Sequence, residues 1–429
     1  MERDLDVGRP RARRDGRLEV LVVDRSPPVE IVQGNALIGR HLFPRLRRHH
    51  RLTLVAFTDP RADASVGDLG SQLAEQFDEA HLVPRSTPVR TVADWFGPPA
   101  ARVGLRTTQG PDAPAARRMR ALLAALATRP FDVVHTRQLP MALYGAGLEP
   151  RSRRLLELVD SETLGALRAA DPGPRGRLRR LVARAVERQS LRRFPIVTSV
   201  AEADAAVMRQ LVPCARVEVV PNGVDSEHYR PMPSVPEVPD SLVFLGAMSY
   251  PPNVAAARHF AERIFPLIRE AQPYACLTIV GRDPAPEIRA LARTPGIDVT
   301  GWVDDVRPYL ARAAIFVCPM VSGSGIKNKV LEAMAMGRPV VTTPLGVEGL
   351  SSDARQAVVR AAEPAEFAAA VVRLQGEPVE RERLGEAARA VVEREYSWDA
   401  CADRYDALYR ELATTPVAGR DVQRWARSD

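Results

Sequence analysis

Short apolar runs alternate with longer amphipathic stretches along most of this chain. Residues 17–24, RLEVLVVD, form a continuous apolar run of the kind buried on both faces of a parallel sheet. Ser26-Pro27-Pro28 opens a loop, Gly34-Asn35 precedes a helix predicted over 36–48, and residues 52–57 read as the next strand. This strand–loop–helix–strand order is a Rossmann-like start, although GxGxxG is absent. Further on, the pattern predicts a helix over 113–127 and strands over 131–135 and 155–160. A basic amphipathic stretch over 173–194, a strand over 196–199, a helix over 201–211 and a strand over 217–220 follow. Residues 82–110 carry clusters of Pro, Gly and Thr and read as irregular.

The second half alternates more cleanly. Strands are predicted over 242–246, 276–281, 297–300, 314–318 and 339–342, with helices over 253–270, 286–293, 306–313 and 326–336 between them. A strand at 357–358 and helices over 364–373, 380–394 and 401–412 complete the pattern. Repeated strand–helix order implies an α/β fold with parallel sheets covered on both faces. Right-handed crossovers then bring the strand carboxyl ends to one edge. Gly246, Gly281, Gly301 and the loop 323–325 each follow a strand and gather there.

A length of 429 residues suits two domains rather than one core. The expected layout is a disordered basic arm at 1–16, a first Rossmann-like domain at 17–227 and a four-proline linker at 228–241. A second Rossmann-like domain at 242–396, a last helical segment at 397–415 and a loose tail at 416–429 follow. No stretch reaches the length of a membrane span, and the charged N-terminal residues lack the apolar core of a secretory signal. Four separated cysteines, Cys214, Cys276, Cys318 and Cys401, read as buried thiols of a reducing cytoplasm rather than as disulfides or a metal site.

The stretch GSGIKNKVLEAMAMGRPVVTTP, residues 323–344, carries the candidate chemistry. Of the 60 basic residues only Lys327 and Lys329 are lysines, and both lie here, ahead of Glu332. An ammonium is a compact point donor where a guanidinium is a planar fork. The glycines precede a helix, where free N–H groups and the dipole favour an anion. The bland reading of the same residues is a loop–helix–strand unit with no ligand.

EAMAMGRPV, residues 332–340, resembles the donor-nucleotide motif of the GT-B glycosyltransferases of family 4 (group 1), a retaining family. VVPNGVD at 219–225, LVFLGAMSYPPN at 242–253, IVGRDP at 279–284 and VTGWVDDVRPYL at 299–310 resemble other segments of that family. The resemblance implies a GT-B fold, two Rossmann-like domains facing across a cleft. It also implies transfer of a sugar from a nucleotide-diphosphate donor to an acceptor hydroxyl with retention, in cell-envelope, exopolysaccharide or secondary-metabolite glycan synthesis. His135, Arg137, Lys327 and Glu332 are then the candidate catalytic residues. Gly34, Asn35, Gly246, Arg282, Trp302, Val303, Ser324, Gly325, Ile326 and Lys329 are the candidates for holding the donor.

The chain departs from the family in two places. Ser324 stands where the motif has its first glutamate, which contacts the sugar. Met248, Ser249 and Asn253 follow Gly246 where many members carry an arginine and a lysine. Diphosphate neutralisation then falls to Lys327, Lys329 or Arg282. Gly34 and Asn35 also read as a turn and cap, and His135 as a structural residue at a strand end. No resident cofactor or metal is expected, because the nucleotide sugar is itself the substrate. Expected partners are the sugar donor and a glycan, lipid-linked or small-molecule acceptor. A cytoplasmic location, with peripheral contact of the basic stretch 173–194 on the anionic inner membrane face, completes the reading; a solvated surface helix is the alternative. A sugar-nucleotide epimerase or a non-catalytic nucleotide-sugar binder on the same scaffold are rival functions. The net charge of +7 favours phosphate-rich partners without choosing among them, and no nucleic-acid motif is present.

Overall fold

The computed structural model describes residues 16–29, 34–58, 69–85, 113–148, 150–168, 173–323 and 325–416. The expected basic arm except Gly16, most of the irregular stretch, Ser324 and the tail beyond residue 416 lie outside the described residues. The chain divides into two compact units. One is drawn from Met1–Glu157, Arg188–Val197 and Tyr405–Asp429, the other from Leu158–Glu187 and Thr198–Arg404.

The first sheet has seven strands: β1 (Glu19–Asp24), β2 (Arg51–Thr58), β3 (Glu79–Pro84), β4 (Val133–Arg137), β5 (Arg154–Leu158), β6 (Ile196–Ser199) and β7 (Arg216–Val219). Their order is β3-β2-β1-β4-β5-β6-β7. β1 lies parallel between β2 and β4, with Val22 opposite both Leu54 and His135. The reversal between β1 and β4 is the doubly wound arrangement. Continuous apolar runs place β1 and β2 where both faces are covered, and their side chains are buried from Val20 and Leu52 onward.

The second sheet has six: β8 (Val238–Leu245), β9 (Cys276–Val280), β10 (Ile297–Gly301), β11 (Ala313–Cys318), β12 (Val340–Thr342) and β13 (Val359–Arg360). Their order is β10-β9-β8-β11-β12-β13, all parallel, with the reversal between β8 and β11. β11, AAIFVC, is buried along its whole length. One apolar core joins this sheet to its helices, from Leu242 and Phe316 to Phe260, Met334 and Phe367.

Several expectations need correction, among them the four buried thiols: Cys214 is exposed and Cys276 half-buried. The helix Leu69–Gln76 and strand β3 were not read from the pattern. β3 is half-exposed at the sheet edge, so it has no unbroken apolar run to betray it. β8 begins at Val238, earlier than the predicted 242. The helix expected over 253–270 is Pro251–His259, a π-helical turn at Phe260–Ile264 and Phe265–Ala271. Pro266 supplies no N–H to the turn before it, which accounts for the break. The last strand pairs at Val359–Arg360, opposite Val341 and Thr342, rather than at 357–358. Among the described residues, no helix is long and apolar enough to cross a membrane.

Candidate functional site

At the carboxyl edge of the second sheet three strand ends meet closely. Gly246 N donates to Val280 O at 3.0 Å, and Gly281 N donates to Gly301 O at 3.1 Å. A Cβ on Gly281 would lie 1.6 Å from the Gly246 carbonyl oxygen, so only glycine allows this approach. A cavity of about 530 Å³ opens beside these turns, at the reversal of strand order where open α/β sheets bind ligands.

The glycine-rich loop after β11 leads into the helix Asn328–Ala335 on the cavity wall. Lys327 occupies the N-cap position with extended backbone, φ −93°. Gly337, with φ +67°, stands just past the helix's C-terminal end, the left-handed conformation that favours glycine. Starting at 328 rather than 326, the helix presents its first unbonded N–H groups beside both lysines.

Lys327 and Lys329 face different environments. The buried Lys327 donates from Nζ to Gly325 O at 2.7 Å. Its pKa is lowered, chiefly by burial. Lys329 donates from Nζ to Asn253 Oδ1 at 2.5 Å and lies 4.5 Å from the centre of the Phe244 ring, a cation–π contact. Asn253 in turn donates from Nδ2 to Ala247 O at 3.0 Å, which fixes the amide's orientation. Burial pushes Lys329 down to about 8, against the pull of Cys318 and Glu332. Burial likewise pushes Glu332 up to about 7, although Lys329 opposes it. Both groups therefore titrate near neutrality.

Eight of the fourteen candidate site residues line this one cavity: Gly246, Arg282, Trp302, Val303, Ile326, Lys327, Lys329 and Glu332. Gly325 sits on the loop beside it with φ +70°, against the Asp160 carboxylate. Ser324 lies outside the described residues. Gly34 and Asn35 form the first turn of the helix Gly34–Arg47, in the first unit. Sequence reasoning missed Tyr229, Tyr250 and Met320, which also line the wall, and the role of Asn253 as the support of Lys329. An aromatic among the linker prolines was the available signal for Tyr229, whose hydroxyl pKa is raised by burial and by Glu332.

His135 and Arg137 are elsewhere, fully buried at the end of β4, and they do not line the cavity. Arg137 donates from Nε to both oxygens of Glu157 at 3.1 and 3.0 Å, from Nη2 to Glu157 at 2.9 Å and from Nη1 to Asp24. His135 Nε2 lies 2.9 Å from Glu157 Oε2, and Nδ1 lies 2.6 Å from the Tyr409 hydroxyl. Burial alone would raise the Glu157 carboxyl; Arg137 and His135 overcome it and hold it at about 2. The placement at a strand end was as expected, but the partners that enclose it come from β1, β5 and the last helix.

Two family models match the chain. Residues 239–377 fit the one described as glycosyl transferases group 1, and residues 40–228 fit glycosyltransferase family 4. The chain belongs to the group 1, family 4 glycosyltransferases. This family member is 29% identical over 205 residues to a phosphatidyl-myo-inositol mannosyltransferase of Mycobacterium leprae, covering 46% of the chain and 54% of the relative. It is 33% identical over 118 residues to the lipopolysaccharide core biosynthesis glycosyltransferase LpsE of Rhizobium meliloti, covering 27% of the chain and 34% of the relative. The chain thus aligns with about half the length of one curated relative and about a third of the other.

Solved structures share the fold of this glycosyltransferase family member at low identity. A sucrose-phosphate synthase from Thermosynechococcus elongatus superposes with a TM-score of 0.63 at 17% identity, covering 92% of the chain and 99% of that protein. Anabaena HepE in complex with UDP and glucose gives 0.61 at 13%, covering 92% and 100%. The fold is GT-B, with two Rossmann-like domains.

Proposed function

We propose that this chain transfers a glycosyl group from a nucleotide-diphosphate sugar to an acceptor hydroxyl, with retention of anomeric configuration. The observation that carries the proposal is the cavity at the second sheet's reversal, where both lysines of the chain and Glu332 meet a helix start. Cleavage of the donor bond places negative charge on the leaving diphosphate. Lys327, Lys329 and the helix N–H groups offer the donors that stabilise it. Lys329, held by Asn253 beside Gly246, supplies a cation in a chain that lacks the arginine and lysine many members of the family carry after this glycine. Glu332 accepts from ribose hydroxyls, and the backbone at Trp302–Val303 meets the base. The leaving phosphate takes the acceptor's proton, so no protein nucleophile and no resident cofactor or metal are needed. His135 and Arg137 shape the first unit's strand end rather than touch the sugar.

The acceptor is a cell-envelope or related glycan, lipid-linked or free, and the protein acts in the cytoplasm. The relatives named for lipopolysaccharide core synthesis and phosphatidyl-myo-inositol mannosylation support this assignment, as does the UDP-bound HepE neighbour for the donor.

The test is a thermal-shift screen with UDP, GDP, dTDP and ADP, followed by product analysis with sugars of the base that binds. Ligand at a hundred times its Kd stabilises by about 2.7 kcal/mol, which is readily seen as a raised melting point. Binding with sugar delivered to an acceptor supports the proposal. An isomerised nucleotide sugar with no transfer points to an epimerase, and no shift with any nucleotide overturns the site.

A further inference from the structure

The helix Pro174–Leu191 is built unlike other surface helices of this molecule. It holds six arginines and one glutamate. That glutamate, Glu187, is turned inward, fully buried, and accepts from Ser161 Oγ and Thr163 N at 3.0 Å each. Gly176, Ala183, Ser190 and Leu191 share the buried side. The opposite side carries Leu178 and Leu181, 45% and 65% exposed, with Ala185 at helical spacing beside them. Arg177, Arg184, Arg188 and, just past the helix, Arg192 are exposed around this apolar strip.

None of those four arginines forms an ion pair with a described residue. Elsewhere four exposed helix arginines do pair with an acid three or four positions away. Arg258 pairs with Glu262, Arg373 with Glu377, Arg383 with Glu380 and Arg410 with Asp406. Here the neutralising acids are missing and leucines point outward. Single exposed leucines are ordinary on a solvated helix, but here two lie one turn apart within a ring of unpaired arginines, and a nucleic-acid groove has no use for an apolar strip in the middle of its cations. An anionic bilayer surface matches both features: arginines reach lipid phosphates and the leucine strip enters the acyl boundary.

We infer that the exposed face of the helix Pro174–Leu191 docks on a membrane surface rich in anionic lipid. The contact is separate from the nucleotide cavity, so either assignment can fail without the other. Each arginine near such a surface strengthens binding about fivefold, an attraction that salt screens.

Co-sedimentation with phosphatidylcholine vesicles, with and without phosphatidylglycerol, is the test. The full chain should bind the phosphatidylglycerol vesicles and not the neutral ones. The double variant Leu178→Ser, Leu181→Ser should weaken binding on the order of tenfold or more, by loss of apolar burial. Replacing Arg177, Arg184 and Arg188 together with Gln should abolish it. Both variants alter exposed side chains only, so an unchanged melting point and unchanged nucleotide binding confirm that they fold. Equal binding to both vesicle types, or undiminished binding by the leucine variant, overturns the proposal. So does a dimer in solution that the leucine variant dissolves, or tighter binding to an RNA oligonucleotide that vesicles do not displace.

Discussion

Two charged clusters lie at the carboxyl edges of the two sheets, and they differ in what their charges have left to do. Around β4, Arg137 directs its guanidinium to Glu157 and Asp24, and His135 lies against Glu157 and Tyr409. All are buried. Around the helix Asn328–Ala335, Lys329 has one amide oxygen and an aromatic face, and the Glu332 carboxylate has no hydrogen-bond partner among the described residues. Both line an open cavity. In the first cluster the pKa of Glu157 is driven away from neutrality; in the second those of Lys329 and Glu332 are driven toward it. A strand end is a favourable place for a ligand, but a charge already matched within the protein is structural. A charge kept near its titration point beside a cavity is available.

The sharpest way to break this contrast is Arg137→Ala. It strands Asp24 and Glu157 without their cation in a buried site, which costs roughly 3–5 kcal/mol. Urea unfolding should show that loss while nucleotide affinity of the folded fraction stays unchanged. A variant that unfolds normally but no longer binds donor would move Arg137 into the active machinery. The same cluster sets an acid limit. Because the folded pKa of Glu157 is depressed, its stabilisation is present above about 4.5 and is lost as pH falls toward about 2. In Arg137→Ala that part of the acid transition should shrink.

Lys329→Ala probes the other cluster and should give the opposite pattern. Loss of a charge-assisted contact to diphosphate weakens nucleotide binding by about 1.5–3 kcal/mol, read by calorimetry. Stability should hold or rise, because a half-buried ammonium with a depressed pKa disfavours folding while it is protonated. A fall in stability with unchanged affinity would make Lys329 another structural charge.

The pH profile of nucleotide binding then sharpens the contrast further. Diphosphate needs Lys329 protonated, so affinity falls above about 8; ribose hydroxyls need Glu332 ionised, so it falls below about 7. Affinity should therefore peak between those values and drop about tenfold per pH unit beyond each limb. Glu332→Gln should flatten the acid limb alone, and a profile flat from pH 6 to 9 would disconnect both groups from the ligand.

Much of the second cluster was legible in the sequence because its parts are local. Lys327, Lys329 and Glu332 fall within six residues, the glycines flank one helix, and the strand before them, β11, is a plain apolar run. Even so, Asn253 could not be read as the support of Lys329, because 76 residues separate them. The first cluster was legible only as a position. That His135 sits at the end of β4 follows from FDVVH. That it is sealed there depends on Tyr409, 274 residues away, and Arg137's pairing with Asp24 spans 113. The edge strand β3 and the π-helical turn were hidden for a related reason. Neither leaves a periodic signature, since one is half-exposed and the other is caused by a single proline.

The smallest expected effect is the most selective probe of the closed cluster. Tyr405 stacks on the His135 ring at 5.4 Å between centres, and Tyr409 meets it edge-on at 5.8 Å. Tyr409→Phe keeps that packing and removes only the hydroxyl. Tyr409 is the hydrogen-bond partner of His135 Nδ1, so the variant leaves one buried ring nitrogen unpaired, at about 1–3 kcal/mol. The loss should be smaller than in Arg137→Ala, because the ion pairs remain. Nucleotide affinity and its pH profile should match the parent protein's, since the altered atom lies within the first unit and not on the cavity wall. Changed affinity with unchanged stability would mean that the buried network and the lysine cavity act as one site, and the distinction between them would have to be abandoned.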